Sequence, residues 1–194
     1  MIDRYTVPIL MLLLCAFVLL VLTTFSVPFI KPFYFFHSDV NGGVAYGTWG
    51  WCFDLSGVCS PKRFGWMWKP QFVPLLNQLL VLYPIATGLT LICILVLMPV
   101  MCSRHSRLHP FPLLALFCLL AWLCSTAAFA ASLTNWLIAR QHFTQDGLDT
   151  HLGPLVWVSL GAMVALLIVA VNTSCGSLCR GHMGRRHSGI YFTY

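Results

Sequence analysis

The chain has 194 residues, 59% of them hydrophobic and only 8% charged, with a formal net charge of +6. A water-soluble domain carries about 25% charged residues, so this composition cannot coat a globule in water and points to lipid as the solvent. The basic residues sit between apolar runs and in the tail, not on one soluble face, which argues for membrane lipids and against nucleic acid as the partner.

Four apolar runs follow in chain order. The first, Val7 to Val27, holds no charged residue and matches the roughly 20 helical residues that a bilayer core requires. Arg4 precedes it, so a secretory signal has to be weighed. The run exceeds a signal's apolar region of about 7–15 residues, and Thr23 to Pro28 lacks a small-residue cleavage site, which favours an uncleaved anchor helix. The second run spans about 74–101 and contains Pro84, Gly88 and Pro99, breaks that neighbouring helices in a membrane compensate. The third spans about 111–133 and the fourth about 155–171, separated by Arg140, Asp146 and Asp149. The expected domain is a four-span unit over 1–175 followed by a short basic tail over 176–194.

An even number of spans places both termini on one side. Arg4, Arg104, Arg107, Arg180, Arg185 and Arg186 then share that side in short segments, and Lys31, Lys62, Arg63, Lys69 and Arg140 spread through two longer loops on the other. Charge packed close to the spans weighs most in the positive-inside rule, so the termini are expected to be cytoplasmic.

Residues 28–73 form the first outer loop, and Cys52 and Cys59 are the only two of the nine cysteines expected outside. A pair facing an oxidising compartment favours a disulfide, and with Gly57 between them the two can close a short hairpin. A metal site is the weaker reading, because His37, the nearest histidine, lies well upstream. A redox pair is weaker too, because the spacing is not C-x-x-C. Val44, Tyr46, Thr48 and Trp49 to Phe53 favour strand, so a small antiparallel sheet is expected on the outer end of the bundle. Trp49, Trp51, Trp66 and Trp68 read either as anchors at the headgroup level, where Trp is enriched, or as a partner surface.

Cys102 to Pro110 reads as a tight basic inner turn whose cations contact anionic lipid heads. The second outer loop, 135–153, carries His142, His151, Asp146 and Asp149. Histidines titrate near neutral pH, yet ordinary loop histidines are the commoner case. Cys102, Cys175 and Cys179 lie at the expected inner membrane edge and are palmitoylation candidates.

Within the spans, Asn77, Gln78, Thr87, Thr90, Ser125 and Thr126 suit bonds between helices, and Gly88, Ala121, Ser125, Ala127, Ala131, Gly161 and Ala165 suit close backbone approach. Transporters usually carry ionisable groups at depth and internal repeats; neither pattern is present in the spans. No catalytic motif or usable carboxylate pair stands out, so an enzyme is not expected, and no cofactor is implied.

Three stretches carry a family resemblance. Phe25 to Lys31 resembles the fungal PalI family and its Sur-type relatives. So does Gly47-Thr48-Trp49-Gly50-Trp51-Cys52, followed by Gly57-Val58-Cys59-Ser60 and Phe64-Gly65-Trp66. Leu82 to Ile92 is similar to that family's second span. The resemblance implies an all-α, four-transmembrane-helix bundle with a small disulfide-braced, β-containing first extracellular loop, a layout similar to that of claudins. Its implied setting is the plasma membrane. PalI-type proteins act in the fungal response to ambient alkaline pH and are thought to help a seven-span pH sensor reach or stay in the membrane. Sur-type relatives mark microdomains (eisosomes) and affect cell wall, cell fusion or endocytosis, which implies self-association. Many PalI proteins continue into a long cytoplasmic tail, whereas this sequence ends at Tyr194.

Overall fold

The computed structural model describes residues 6–30, 32–60, 74–102, 111–145 and 147–186. In chain order they form helix α1 (Thr6–Thr24), strand β1 (Phe36–Ser38), a 3-10 turn (Val40–Gly42), strands β2 (Val44–Gly47) and β3 (Gly50–Phe53), and a short helix α2 (Pro74–Gln78). A 3-10 turn (Leu79–Val81), helices α3 (Leu82–Cys102) and α4 (Phe111–Gln145), strand β4 (Thr150–Leu152) and helix α5 (Pro154–Arg186) complete them. Pro84 has no N–H to give the carbonyl of Leu80, and the backbone tightens to 3-10 just there.

Four helical stretches among the described residues are long and apolar enough to cross a membrane: Val7–Thr24, Leu76–Met98, Leu113–Gln145 and Pro154–Ser174. This is a multi-pass membrane protein. Helix α1 packs against α3 and α5, and α4 packs against α3 and α5, so the four close into a ring. Leu13, Leu20, Tyr83, Ala86, Ala121 and Leu166 fill its centre. The opposite faces are equally apolar: Met11 is 62% exposed, Leu95 60% and Trp157 69%. Water would not tolerate an apolar surface of that extent; acyl chains cover it.

Helix boundaries differ from those read in the sequence. The third span does not stop near residue 133: α4 runs on to Gln145, a helix of 35 residues, about 50 Å at 1.5 Å per residue. Hydropathy falls after residue 133, but no Gly or Pro interrupts Thr134 to Gln145, and extending a formed helix costs far less than starting one. Gly147, with φ of +72°, ends it. The Gly147 N–H donates to the carbonyl of Thr144 at 3.2 Å and that of Leu148 to Phe143 at 2.9 Å, a Schellman closure. Likewise the helix of the fourth span continues through Arg186, so part of the expected 176–194 tail is helical.

The outer polar segments build one sheet of four antiparallel strands in the order β3-β2-β1-β4. The hairpin of β2 and β3 lies where the sequence places strand, except that Thr48 and Trp49, expected as strand, form the turn between the two. Strand β4 (Thr150–Leu152) has no counterpart among the strands expected from the sequence. It comes from the second outer loop, and pairs His37 with His151 across β1. Both loops therefore lie on the same side of the bundle. Phe35 packs tilted against Tyr83 at 5.7 Å and Phe36 stacks on Tyr46 at 4.1 Å, which joins the sheet to the helix core as one apolar cluster.

The small-residue reading holds in part. Ala121, Ser125, Ala131 and Ala165 are buried at helix seams, whereas Gly88 and Ala127 are exposed on the outer surface of the bundle and Gly161, though exposed, faces Leu19 of α1. A spacing of three or four residues does not tell which face of an all-round apolar helix meets a neighbour; Ala128 and Ala162 take the buried places instead.

Candidate functional site

The outer cap grows from the end of α1. A helix C-terminus leaves its last carbonyls without intrahelical partners. Two residues of the β2–β3 turn supply them: Thr48 Oγ1 donates to the carbonyl of Thr23 at 2.7 Å, and the Trp49 indole donates to that of Thr24 at 2.6 Å. Ser26 holds the turn from the other side. Its hydroxyl accepts from the Thr48 N–H at 2.8 Å and donates to Thr48 Oγ1 at 3.1 Å. Thr23, Ser26 and Thr48 are all buried, so these bonds form away from water, where an unpaired polar group is costly.

Gly47 explains its own identity. A Cβ there would lie 2.6 Å from Val27 Cβ and as close to that residue's backbone. Only a bare α-carbon lets β2 lie against the chain leaving α1. Gly50 faces Gly47 across the hairpin and holds φ at +141°, a conformation open mainly to glycine. Trp49 then packs edge-on to Phe29 at 6.1 Å, and Phe29 edge-on to Phe25 at 5.9 Å. Phe25 and Phe29 are about half exposed at the mouth of α1, the headgroup level where aromatic rings collect. Trp51 is placed differently, on β3 against Phe53 at 5.0 Å, and packs towards the core.

Cys52 on β3 and Cys59 are joined by a disulfide, with α-carbons 4.0 Å apart. The two lie directly opposite in an antiparallel bridge, flanked by Phe53 N–H to the Val58 carbonyl and Ser60 N–H to the Trp51 carbonyl, each 2.9 Å. That is the non-hydrogen-bonded pairing, in which side chains approach most closely. Gly57, at φ of +65°, turns the chain between them. The disulfide, Val27, Ala45 and Tyr34 form a second small cluster on the far face of the sheet. Gly65, Trp66 and Trp68 lie outside the described residues.

Some contacts had no legible signal in the sequence. His37 Nε2 donates to Asp54 Oδ2 at 2.7 Å, and its Nδ1 lies 3.6 Å from Asp39 Oδ1. Both carboxylates are about half exposed, so the pairing contributes modestly to stability. His142 and His151 are both exposed, and Asp149 accepts through its backbone carbonyl from the Asp39 N–H at 3.2 Å; Asp146 lies outside the described residues. No group of three or more metal-ligating side chains gathers among the described residues. Gly153 carries no such signal either. Its N–H donates to the Phe35 carbonyl at 2.8 Å, and a Cβ there would fall on the backbone of Tyr34, so a second glycine contact ties the second outer loop to the first.

Within the bundle, Asn135 Nδ2 donates to Asn77 Oδ1 at 3.1 Å, Thr24 and Thr87 share a bond of 3.1 Å, and the hydroxyls of Tyr83 and Ser132 meet at 3.4 Å. Thr90 and Thr126 instead donate to carbonyls of their own helices. Cys102 is the last residue of α3 and Cys175 and Cys179 continue α5.

The glycine–tryptophan turn, the bridged cysteines and all but the last residues of the spans lie within the stretch that one family model covers. The model of the SUR7/PalI family matches residues 5–169. The chain belongs to the SUR7/PalI family. In this SUR7/PalI protein the motif Gly47 to Cys52 is an instruction for docking: glycine for close approach, threonine and tryptophan to cap α1, cysteine to brace the hairpin. None of the curated proteins matches the chain.

Proposed function

We propose that this SUR7/PalI protein is a non-enzymatic accessory of the fungal plasma membrane, with both termini in the cytoplasm. It binds another integral membrane protein through its spans and its braced outer loop, and a seven-span pH sensor of the alkaline response is the favoured partner. The observation that carries this reading is the outer cap. Its converging polar groups are spent on holding the cap to α1, which leaves a platform with a rim of aromatic rings. Family membership supports the same setting. In a strain lacking the gene, growth at alkaline pH and surface abundance of the sensor are both expected to fall. Unchanged growth with unchanged sensor levels rejects the role.

A second reading is an organiser of membrane microdomains that associates with its own copies. It is favoured by the family match, which embraces the Sur-type as well as the PalI branch. Imaging of a tagged copy separates the two: stable cortical patches favour the organiser, and a diffuse signal with a sensor-trafficking defect favours the accessory.

A further inference from the structure

Cys93 on α3 and Cys118 on α4 meet in the middle of the helix seam. Both are fully buried, and the Cys118 thiol donates to Cys93 Sγ at 3.5 Å. Among the described free cysteines they are the buried ones; Cys15 is exposed and Cys124 is partly covered. Leu97, Leu114 and Ala121, one turn away on the same faces, belong to the same apolar cluster. Two thiols from different helices are thus held together where water and soluble reductants are scarce.

We propose that Cys93 and Cys118 are an intramembrane oxidation site, closed to a disulfide by a membrane-permeant hydroperoxide. A disulfide is about 2.05 Å long, so the sulfurs must approach by about 1.5 Å, a motion within the range of small helix shifts. One sulfur attacks the peroxide oxygen, giving a sulfenic acid and a molecule of water (or of alcohol, from an alkyl hydroperoxide). The second thiol then displaces the sulfenic hydroxyl as water. Two thiols and one hydrogen peroxide become one disulfide and two waters, the two electrons passing from the sulfurs to the O–O bond. Water and soluble bases are scarce at this depth, so the first step is slower than at an exposed thiol. The second is fast, because the resolving thiol is already in contact, and this diverts the sulfenic acid from further oxidation. The product ties α3 to α4 about 10–14 Å from the helix ends that flank Arg104 and Arg107.

The arginines make the test direct. Full-length protein in native membranes is treated with hydrogen peroxide, blocked with N-ethylmaleimide, denatured, cut with trypsin at Arg104 and Arg107, and separated without reductant. The peptide bearing Cys93 and the peptide bearing Cys118 are expected to run joined, to part on adding dithiothreitol, and to yield a Cys93–Cys118 linkage by tandem mass spectrometry. The joined species should fall to background in Cys93→Ser and in Cys118→Ser and persist in Cys102→Ser and Cys124→Ser. Survival of the Cys52–Cys59 bridge in each variant confirms that it has folded. Separate peptides from oxidised wild-type protein, or a linkage that maps to other cysteines, overturns the proposal.

Discussion

At Gly47 a single hydrogen atom decides whether the cap seats on α1. Gly47→Ala inserts a methyl group into the chain at Val27, and overpacking of this kind costs about 1–3 kcal/mol. A marked fall in surface delivery and in the thermal midpoint is expected, measured on tagged protein in cells and in detergent. Gly57→Ala is the control: nothing lies within 4 Å of its added carbon, so only the strain of a left-handed backbone remains, about 1 kcal/mol. Tyr46 provides a pH signature at the same scale. Burial pushes its phenol up to about 12, with the hydroxyl of Ser38 acting the other way. The folded state then resists ionisation that the unfolded state accepts near pH 10. Stability from this residue is complete below about pH 10 and is lost as pH rises towards about 12, by roughly 3 kcal/mol. Tyr46→Phe should flatten that part of the melting profile relative to wild type; equal alkaline slopes in the two proteins would refute the assignment.

Among the elements, strand β3 is held on both edges, by the β2 ladder on one side and by the Cys52–Cys59 disulfide across the Gly57 turn on the other. Closing so short a loop stabilises it by about 2–3 kcal/mol. Cys52→Ser and Cys59→Ser are each expected to reduce surface delivery to the same extent, and the double variant no further, because one bond is lost in all three. A harmless single replacement would show that the bridge is dispensable. Non-reducing mass spectrometry identifies the bond itself. The long helices obey a different logic. Their apolar stretches are set by the bilayer, but α4 runs beyond residue 133 until Gly147 stops it, and its projecting end brings β4 beside β1. The glycine that ends α4 stands in the sequence, as does the run without breakers before it. Hydropathy alone is blind to both, because helix continuation depends on backbone bonding and not on side-chain polarity.

For the whole molecule, the pairing of β1 with β4 fixes that the two longer loops share a side. Which side faces the medium is a matter of charge packing near the spans. An epitope inserted at the open turn of Gly57, where neighbouring Leu55 is 80% exposed, should be detected on intact cells. One fused after Tyr194 should be detected only after permeabilisation. The reverse pattern would invert the topology and remove the outer cap from the extracellular side.

Composition, run length and the cysteine pair were enough to state a four-span bundle with a braced outer hairpin, because a bilayer requires long apolar spans and an oxidising compartment favours pairing of the two cysteines outside it. Residues 44–47 and 50–53 also declared their strands through local preference, but the turn at Thr48 and Trp49 between them did not show. What the sequence left open was every pairing between distant segments. Thr48 on the carbonyl of Thr23, His37 on Asp54, β4 beside β1 and Cys93 against Cys118 each join residues far apart in the chain. The pairings in the cap depend on how the loops fold over the end of α1, and that of Cys93 with Cys118 on how helices apolar on every face rotate against one another; an apolar surface without a polar side carries no mark of which face turns inward.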